Sequence, residues 1–258
     1  MKAVILAGGL GTRISEETSV KPKPMVDVGD MPILWHIMKI YAHFGVNDFV
    51  ILCGYRGHVI KEFFQAYSMR RTSVSFDLRC GSMKLHGDVP EPWNVTLVDT
   101  GEETMTGGRI RRARDYIGDE TFFLTYGDGV SNVDLAALAD QHRKEGNEVT
   151  LTAVQPPGRF GALTLADGQT RVSDFEEKPE GDRAWINGGY FCVEPSAIDR
   201  IDGDSTSWEK EPLSRIAKEG GLAAYKHTGF WHPMDTLRDK NHLDSLWRDE
   251  KAPWKIWE

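Results

Sequence analysis

Apolar residues in this chain fall into short blocks separated by polar stretches, and the spacing inside each block predicts its structure. Residues 3–7 form a continuous apolar run closed by Gly8 and Gly9, the pattern of a parallel strand buried on both faces. Over residues 30–44 the apolar positions Ile33, Leu34, Ile37, Ile40, Tyr41 and Phe44 recur on one helical face. Asp30 is placed to cap that helix, Pro32 suits its first turn and Gly45 can end it. A second buried strand is predicted at 49–53 and a second helix at 58–67. Strand, helix, strand, helix in that order predicts right-handed βαβ units on a parallel sheet. Further strands are predicted at 74–79, 94–99, 121–126 and 148–154, with helices at 107–117 and 132–145. After residue 155 the pattern shortens. Strands at 161–165, 171–177 and 185–193, separated by turn residues, favour an antiparallel or mixed region, and helices at 208–218 and 236–247 close the chain.

The expected architecture is therefore α/β: a Rossmann-like, mixed but mostly parallel central sheet flanked by helices, with a smaller antiparallel or mixed region bearing a second ligand subsite. A length of 258 residues without repeats or linkers suits one domain over 1–258, with a nucleotide half over about 1–155 and a closing half over about 156–258.

Composition narrows the function classes. With 39 acidic and 31 basic residues the formal net charge is −8, which excludes a broad nucleic-acid-binding surface. A polyanionic ligand must then be met by a local basic site. Cys53, Cys80 and Cys192 are far apart and form no CxxC pair, so neither zinc nor a disulfide framework is expected. The opening apolar run is too short for a signal peptide and no run is long enough to span a bilayer, so a cytoplasmic protein without a membrane partner is expected.

Candidate chemistry sits where the predicted strands end, the edge at which α/β sheets bind ligands. Gly8-Gly9-Leu10-Gly11-Thr12-Arg13 follows the first strand, and its glycines allow backbone N–H groups to approach a phosphate. It lacks the Lys-Ser/Thr ending of a P-loop, and Ile14 stands where a dinucleotide fingerprint has its third glycine. In Lys21-Pro22-Lys23-Pro24 the flanking prolines stiffen the backbone around Lys23. Asp128, between Gly127 and Gly129 after the strand at 121–126, is suited to a hard cation such as Mg2+. Asp235, before the last helix, is a second such carboxylate, although an acid there also serves as a helix cap. Glu177-Lys178 ends a strand and suits a sugar hydroxyl and a phosphate. Asn187-Gly188-Gly189 interrupts a strand where a ligand or another backbone comes close. Met105-Thr106-Gly107-Gly108-Arg109 opens a helix, and the N–H groups of the helix start and Arg109 are suited to an anion or to the acceptor edge of a base.

GGLGTR followed by KPKP resembles the signature of the sugar-nucleotide pyrophosphorylases. The segments EPWNVTLVDTG, MTGGR, TYGDG, PPGRFGAL, INGG, WHPMDTLRDK and KAPWK carry the resemblance through nearly the whole chain, toward the glucose-1-phosphate cytidylyltransferases within that group. The resemblance implies CTP and α-D-glucose 1-phosphate as substrates, CDP-glucose and pyrophosphate as products, Mg2+ as cofactor and a homo-oligomer. It implies nucleotide binding by Leu6, Ala7, Gly8, Gly9, Gly11, Thr12, Arg13, Lys23, Thr104, Met105, Gly107, Arg109 and Asp128. It places the metal on Asp128 and Asp235, and the sugar phosphate on Gly161, Glu177, Lys178, Asn187 and Gly188. Arg13, Lys23, Asp128, Lys178 and Asp235 are the expected catalytic set. An NAD-dependent sugar dehydrogenase or epimerase is disfavoured, because neither Tyr116 nor Tyr126 has a lysine four residues on. A non-catalytic nucleotide-sugar module is disfavoured by the presence of the whole charged set.

Overall fold

In the computed structural model, residues 1–88, 91–156, 162–165, 172–176 and 184–258 are described. A seven-stranded sheet runs in the order Leu222–His227, Val149–Val154, Ile186–Val193, Phe122–Tyr126, Ala3–Ala7, Asp48–Cys53 and Asn94–Asp99. Ile186–Val193 alone runs against the others. The mixed, mostly parallel α/β architecture is therefore the one the apolar pattern predicts.

The first strand lies inside the sheet, between Phe122–Tyr126 and Asp48–Cys53, and supplies both cores, because successive side chains of a strand point to opposite faces. Ala3, Ile5 and Ala7 pack with the helix Ile33–His43, with Leu135 and Leu138, and with Trp254. Val4 and Leu6 pack on the other face with Ile110, Ile117, Trp208, Leu213 and Ile216. The helix Leu135–Glu145 is capped by Asp134, whose carboxylate accepts from the N–H of Ala137 at 2.8 Å, and it ends on Gly146 in the left-handed region.

Several elements differ from the sequence reading for local reasons. Asp30 caps nothing. Met31–Pro32 pairs with Asp27–Val28 in a small hairpin, and the helix starts only at Ile33. The helix expected at 107–117 is two helices, Thr106–Arg112 and Arg114–Ile117. The strand expected at 74–79 is Ser73–Asp77, which turns back through Ser82–His86 to form an exposed hairpin. Three strands carried no readable period: Leu222–His227 at the sheet edge, and the short pair Gly129–Ser131 and Trp231–Pro233.

Candidate active site

Parallel pairing brings the ends of the strands Ala3–Ala7 and Phe122–Tyr126 to the same sheet edge. Ile186–Val193 runs the other way, so its beginning, Ile186 to Gly188, reaches that edge as well. Two cavities open there. One, of about 450 Å³, is walled by residues 6–12, Lys23, Pro24, residues 102–106, Arg109 and residues 126–128. The other, of about 350 Å³, is walled by Asn187, Gly188, Glu209, Trp231, Asp235 and their neighbours. Tyr126 and Asp128 belong to both walls.

The glycine loop ends in a turn of 3-10 helix, Thr12–Ile14, and a short helix, Ser15–Thr18. Gly11 turns the chain at φ +64°, and the N–H of Ile14 and the hydroxyl of Thr18 both donate to its carbonyl. Thr12 lines the first cavity. Of Arg13, the structure describes the backbone, in that turn.

Asp128 and Asp235 are brought together by the short pair that had no sequence signal. Gly129–Ser131 ladders antiparallel with Trp231–Pro233, and the N–H of Met234 donates to the Asp128 carbonyl at 2.8 Å. Asp235 is not the cap of the following helix. Thr236 caps it, and Asp239 closes the capping box, accepting from the N–H groups of Asp235 and Thr236. The helix end is thus satisfied without the Asp235 carboxylate.

Lys23 lies opposite that pair, in the 3-10 turn Lys23–Met25, and only 7% of it is exposed. Its ammonium donates to Asp128 Oδ2 at 2.7 Å and to Asp235 Oδ1 at 2.6 Å. The Lys23 ammonium thus stands between two carboxylates from well-separated parts of the chain. Lys21 points elsewhere and pairs with Asp27 at 2.6 Å. The fit to a hard divalent cation follows from the same observation, since two carboxylate oxygens already converge on a single positive point. Among the described residues no group of three or more His, Cys, Asp or Glu side chains forms a cage. That suits an ion that completes its shell with phosphate oxygens and water.

Arg109 is held by the protein through both of its terminal nitrogens. It walls the first cavity, but 4% of it is exposed and both terminal nitrogens donate to protein oxygens. Nη1 donates to Thr100 Oγ1 at 2.8 Å and Gly101 O at 2.6 Å, with a longer contact to Cys53 O at 3.4 Å. Nη2 donates to Gly8 O at 3.0 Å and Glu102 O at 2.9 Å. The side chain expected to read the base also joins the glycine loop to the 100–102 segment, at the wall of the first cavity. Burial, and secondarily Arg112, depress its pKa from the usual arginine range. The glycines beside it serve packing. A Cβ on Gly107 would meet Thr206 O at 2.7 Å, and one on Gly108 would meet Asp204 O at 2.6 Å.

In the second cavity Asn187 Oδ1 accepts from the N–H of Gly189 at 2.8 Å, and Gly188 O accepts from Trp231 Nε1 at 2.6 Å. Sequence reasoning missed Glu209. It accepts from the hydroxyls of Tyr126 at 2.8 Å and Thr106 at 2.7 Å, linking the walls of the two cavities. Burial, then Glu209, push the Tyr126 phenol well above its usual range, so it stays protonated. Gly161, Glu177 and Lys178 lie outside the described residues.

A central mostly parallel sheet, with two adjoining cavities that share a seam of one lysine and two carboxylates, places the chain in the class of α/β enzymes. The chain belongs to the nucleotidyl transferase family, whose model matches residues 2–247. It is 58% identical over 259 residues to glucose-1-phosphate cytidylyltransferase of Salmonella typhimurium, covering 100% of both chains. It is 45% identical over 258 residues to the probable glucose-1-phosphate cytidylyltransferase of Bacillus subtilis, again covering 100% of both. In fold it is similar to the crystal structure of HddC from Yersinia pseudotuberculosis, with a TM-score of 0.69 at 23% identity over 95% of this chain and 99% of the other. Among the described residues no helix is long and apolar enough to cross a membrane.

Proposed function

We propose that this protein transfers the cytidylyl group of CTP to α-D-glucose 1-phosphate, forming CDP-glucose and releasing pyrophosphate. The observation that carries the chemistry is the Lys23–Asp128–Asp235 cluster at the seam of two cavities. The end-to-end similarity to cytidylyltransferases supports this choice of base and sugar.

In this reading the first cavity takes the nucleotide and the second the sugar phosphate. A phosphate oxygen of glucose 1-phosphate attacks the α-phosphorus of CTP, and the bond from that phosphorus to the α,β-bridging oxygen breaks, so pyrophosphate departs in line. The attacking phosphate is already anionic at neutral pH, so no general base is required. The protonated Tyr126 is accordingly a structural donor. The residues act by neutralising and aligning two polyanions. Arg13 is assigned to the β- and γ-phosphates, Lys23 to the α-phosphate and Lys178 to the attacking phosphate. Gly161, Glu177, Asn187 and Gly188 are assigned to the sugar. Mg2+ held by Asp128 and Asp235 supplies further charge neutralisation at the phosphate oxygens when bound. Assembly into a homo-oligomer belongs to the same reading. The hairpin at 73–86 supports it, exposing Phe76, Leu78 and Met83.

A pyrophosphate-release assay over CTP, UTP, dTTP, ATP and GTP with glucose 1-phosphate and Mg2+ tests the reading. Release that depends on the sugar phosphate and is fastest with CTP is expected. Removing the charge in Lys178→Ala is expected to reduce turnover or glucose 1-phosphate affinity, with a turnover loss of about 10²–10³-fold if that donor acts in the transition state. Preference for another nucleotide, or no release at all, overturns the reading.

A further inference from the structure

Lys23 occupies the point at which the two acidic side chains of the site converge. Its backbone is held on both sides. Pro22 is extended and Pro24 sits in the turn, where it packs so closely on Gly127 that a Cβ there would fall 2.9 Å from the proline ring. Little of the lysine reaches solvent, and its ammonium contacts Asp128 Oδ2 and Asp235 Oδ1 at 2.7 and 2.6 Å. Asp128 and Asp235 are themselves locked together by the ladder between Gly129–Ser131 and Trp231–Pro233. A cation arriving at this pair therefore meets a positive charge already seated between the carboxylates. It also has to separate a close, partly buried ion pair. A triphosphate in the adjoining cavity changes this balance, because Lys23 lines that cavity too and a phosphate offers the ammonium an alternative anion.

We infer that Lys23 is a resident counter-ion that keeps divalent metal off the Asp128–Asp235 pair until nucleotide arrives. Triphosphate draws the ammonium away, the carboxylate pair becomes available, and metal and nucleotide enter as a coupled set. By linkage, each tightens the binding of the other. Lys23 positions the site in the free protein, and it touches phosphate only in the loaded one. The inference rests on the functional reading above for the identity of the anion, and on the geometry alone for the competition.

The test uses Mn2+ alone as the probe, with no nucleotide and no sugar phosphate. Electron paramagnetic resonance of free Mn2+ gives the affinity of the wild-type protein and of Lys23→Met, which keeps an unbranched side chain one atom shorter and removes its charge. Lys23→Met is expected to bind one Mn2+ about tenfold or more tighter than wild type, because a like charge has been removed from the site. That gain is expected to vanish in the double variant Lys23→Met/Asp235→Asn. Equal Mn2+ affinity in wild type and Lys23→Met, or a gain that survives the double substitution, overturns the inference. If Lys23→Met does not fold, a crystal of nucleotide-free wild type soaked in Mn2+ decides. Lys23 still seated between the two carboxylates with no Mn2+ there supports the competition, and Mn2+ bound there overturns it. Because these measurements involve no turnover, their failure is distinct from failure of the pyrophosphate-release assay.

Discussion

Arg109 shows how a single side chain ties together the wall of a cavity that it also lines. Its terminal nitrogens bind oxygens on the glycine loop, the strand end at Cys53 and the 100–102 segment. Space for the guanidinium exists because residues 8 and 54 are glycines, where a Cβ would lie 2.3 and 2.2 Å from Nη1. Arg109→Ala is therefore expected to leave several buried carbonyls unpaired and to cost about 3 kcal/mol of stability. It should weaken CTP and UTP alike and leave the ratio of their kcat/KM values near that of the wild type. Urea unfolding and the two-nucleotide comparison check this. A selective loss of CTP preference at preserved stability would return the side chain to the base. Such a role was suggested by the sequence because an arginine at a helix start is a reasonable anion or base contact. Its partners in the fold are the Thr100 hydroxyl and backbone oxygens that include those of Gly8 and Cys53, and no local pattern encodes these. Glu209 was invisible for a related reason, since in Trp-Glu-Lys-Glu it reads as part of a solvated charged face.

At the scale of elements, the helix Ile33–His43 carries a buried histidine whose protonation the fold opposes. His36 Nε2 donates to Val28 O at 2.9 Å, and Nδ1 accepts from Trp254 Nε1 at 3.4 Å, an arrangement that requires the neutral ring. Trp35, Trp247 and Trp254 surround it edge-on. Burial lowers its pKa from 6.5 to about 4. The folded value lies below the unfolded one, so the unfolded chain binds the proton first as pH falls. Stability from this group is full above about 6.5 and is lost progressively toward pH 4, by about 3 kcal/mol across the window. Urea midpoints at pH 7 and pH 5 should differ more for wild type than for His36→Gln. His227 and His232, also lowered by burial, add in the same direction in both proteins. The helix itself was legible, since six apolar residues share one face. Its start was not, because Asp30 and Pro32 fit a cap while the pairing of Met31–Pro32 with Asp27–Val28 takes those residues first. The central strands were legible as apolar runs bounded by glycine. Leu222–His227 was not, because Leu-Ala-Ala-Tyr-Lys-His contains no β-branched residue and its strand state comes from pairing with Val149–Val154.

At the scale of the whole molecule, the site depends on the last residues of the chain through a continuous line of contacts. Trp254 is fully buried, stacks 5.6 Å from Phe230 and 6.3 Å from Trp247, and abuts the helix carrying His36. The Phe230 carbonyl accepts from the N–H of Asn132 and the hydroxyl of Ser131, which closes one end of the ladder between Gly129–Ser131 and Trp231–Pro233. The other end of that ladder holds Asp128 against Asp235. Lys23, Asp128 and Asp235 were each recognisable in sequence by their flanking prolines, glycines and helix start. Their contact was not, because it rests on two three-residue strands about a hundred positions apart, too short for a period. Trp254→Ala should cost about 3–5 kcal/mol, the range for emptying a buried aromatic site. If the line of contacts holds, it should also lower kcat at temperatures well below its own unfolding midpoint, as the carboxylate pair loses its fixed spacing. Trp185→Ala, at a residue 39% exposed and outside that line, is the control and should leave the unfolding midpoint nearly unchanged. A Trp254→Ala protein that unfolds early yet turns over at the wild-type rate while folded would show that the tail stabilises the core without setting the site.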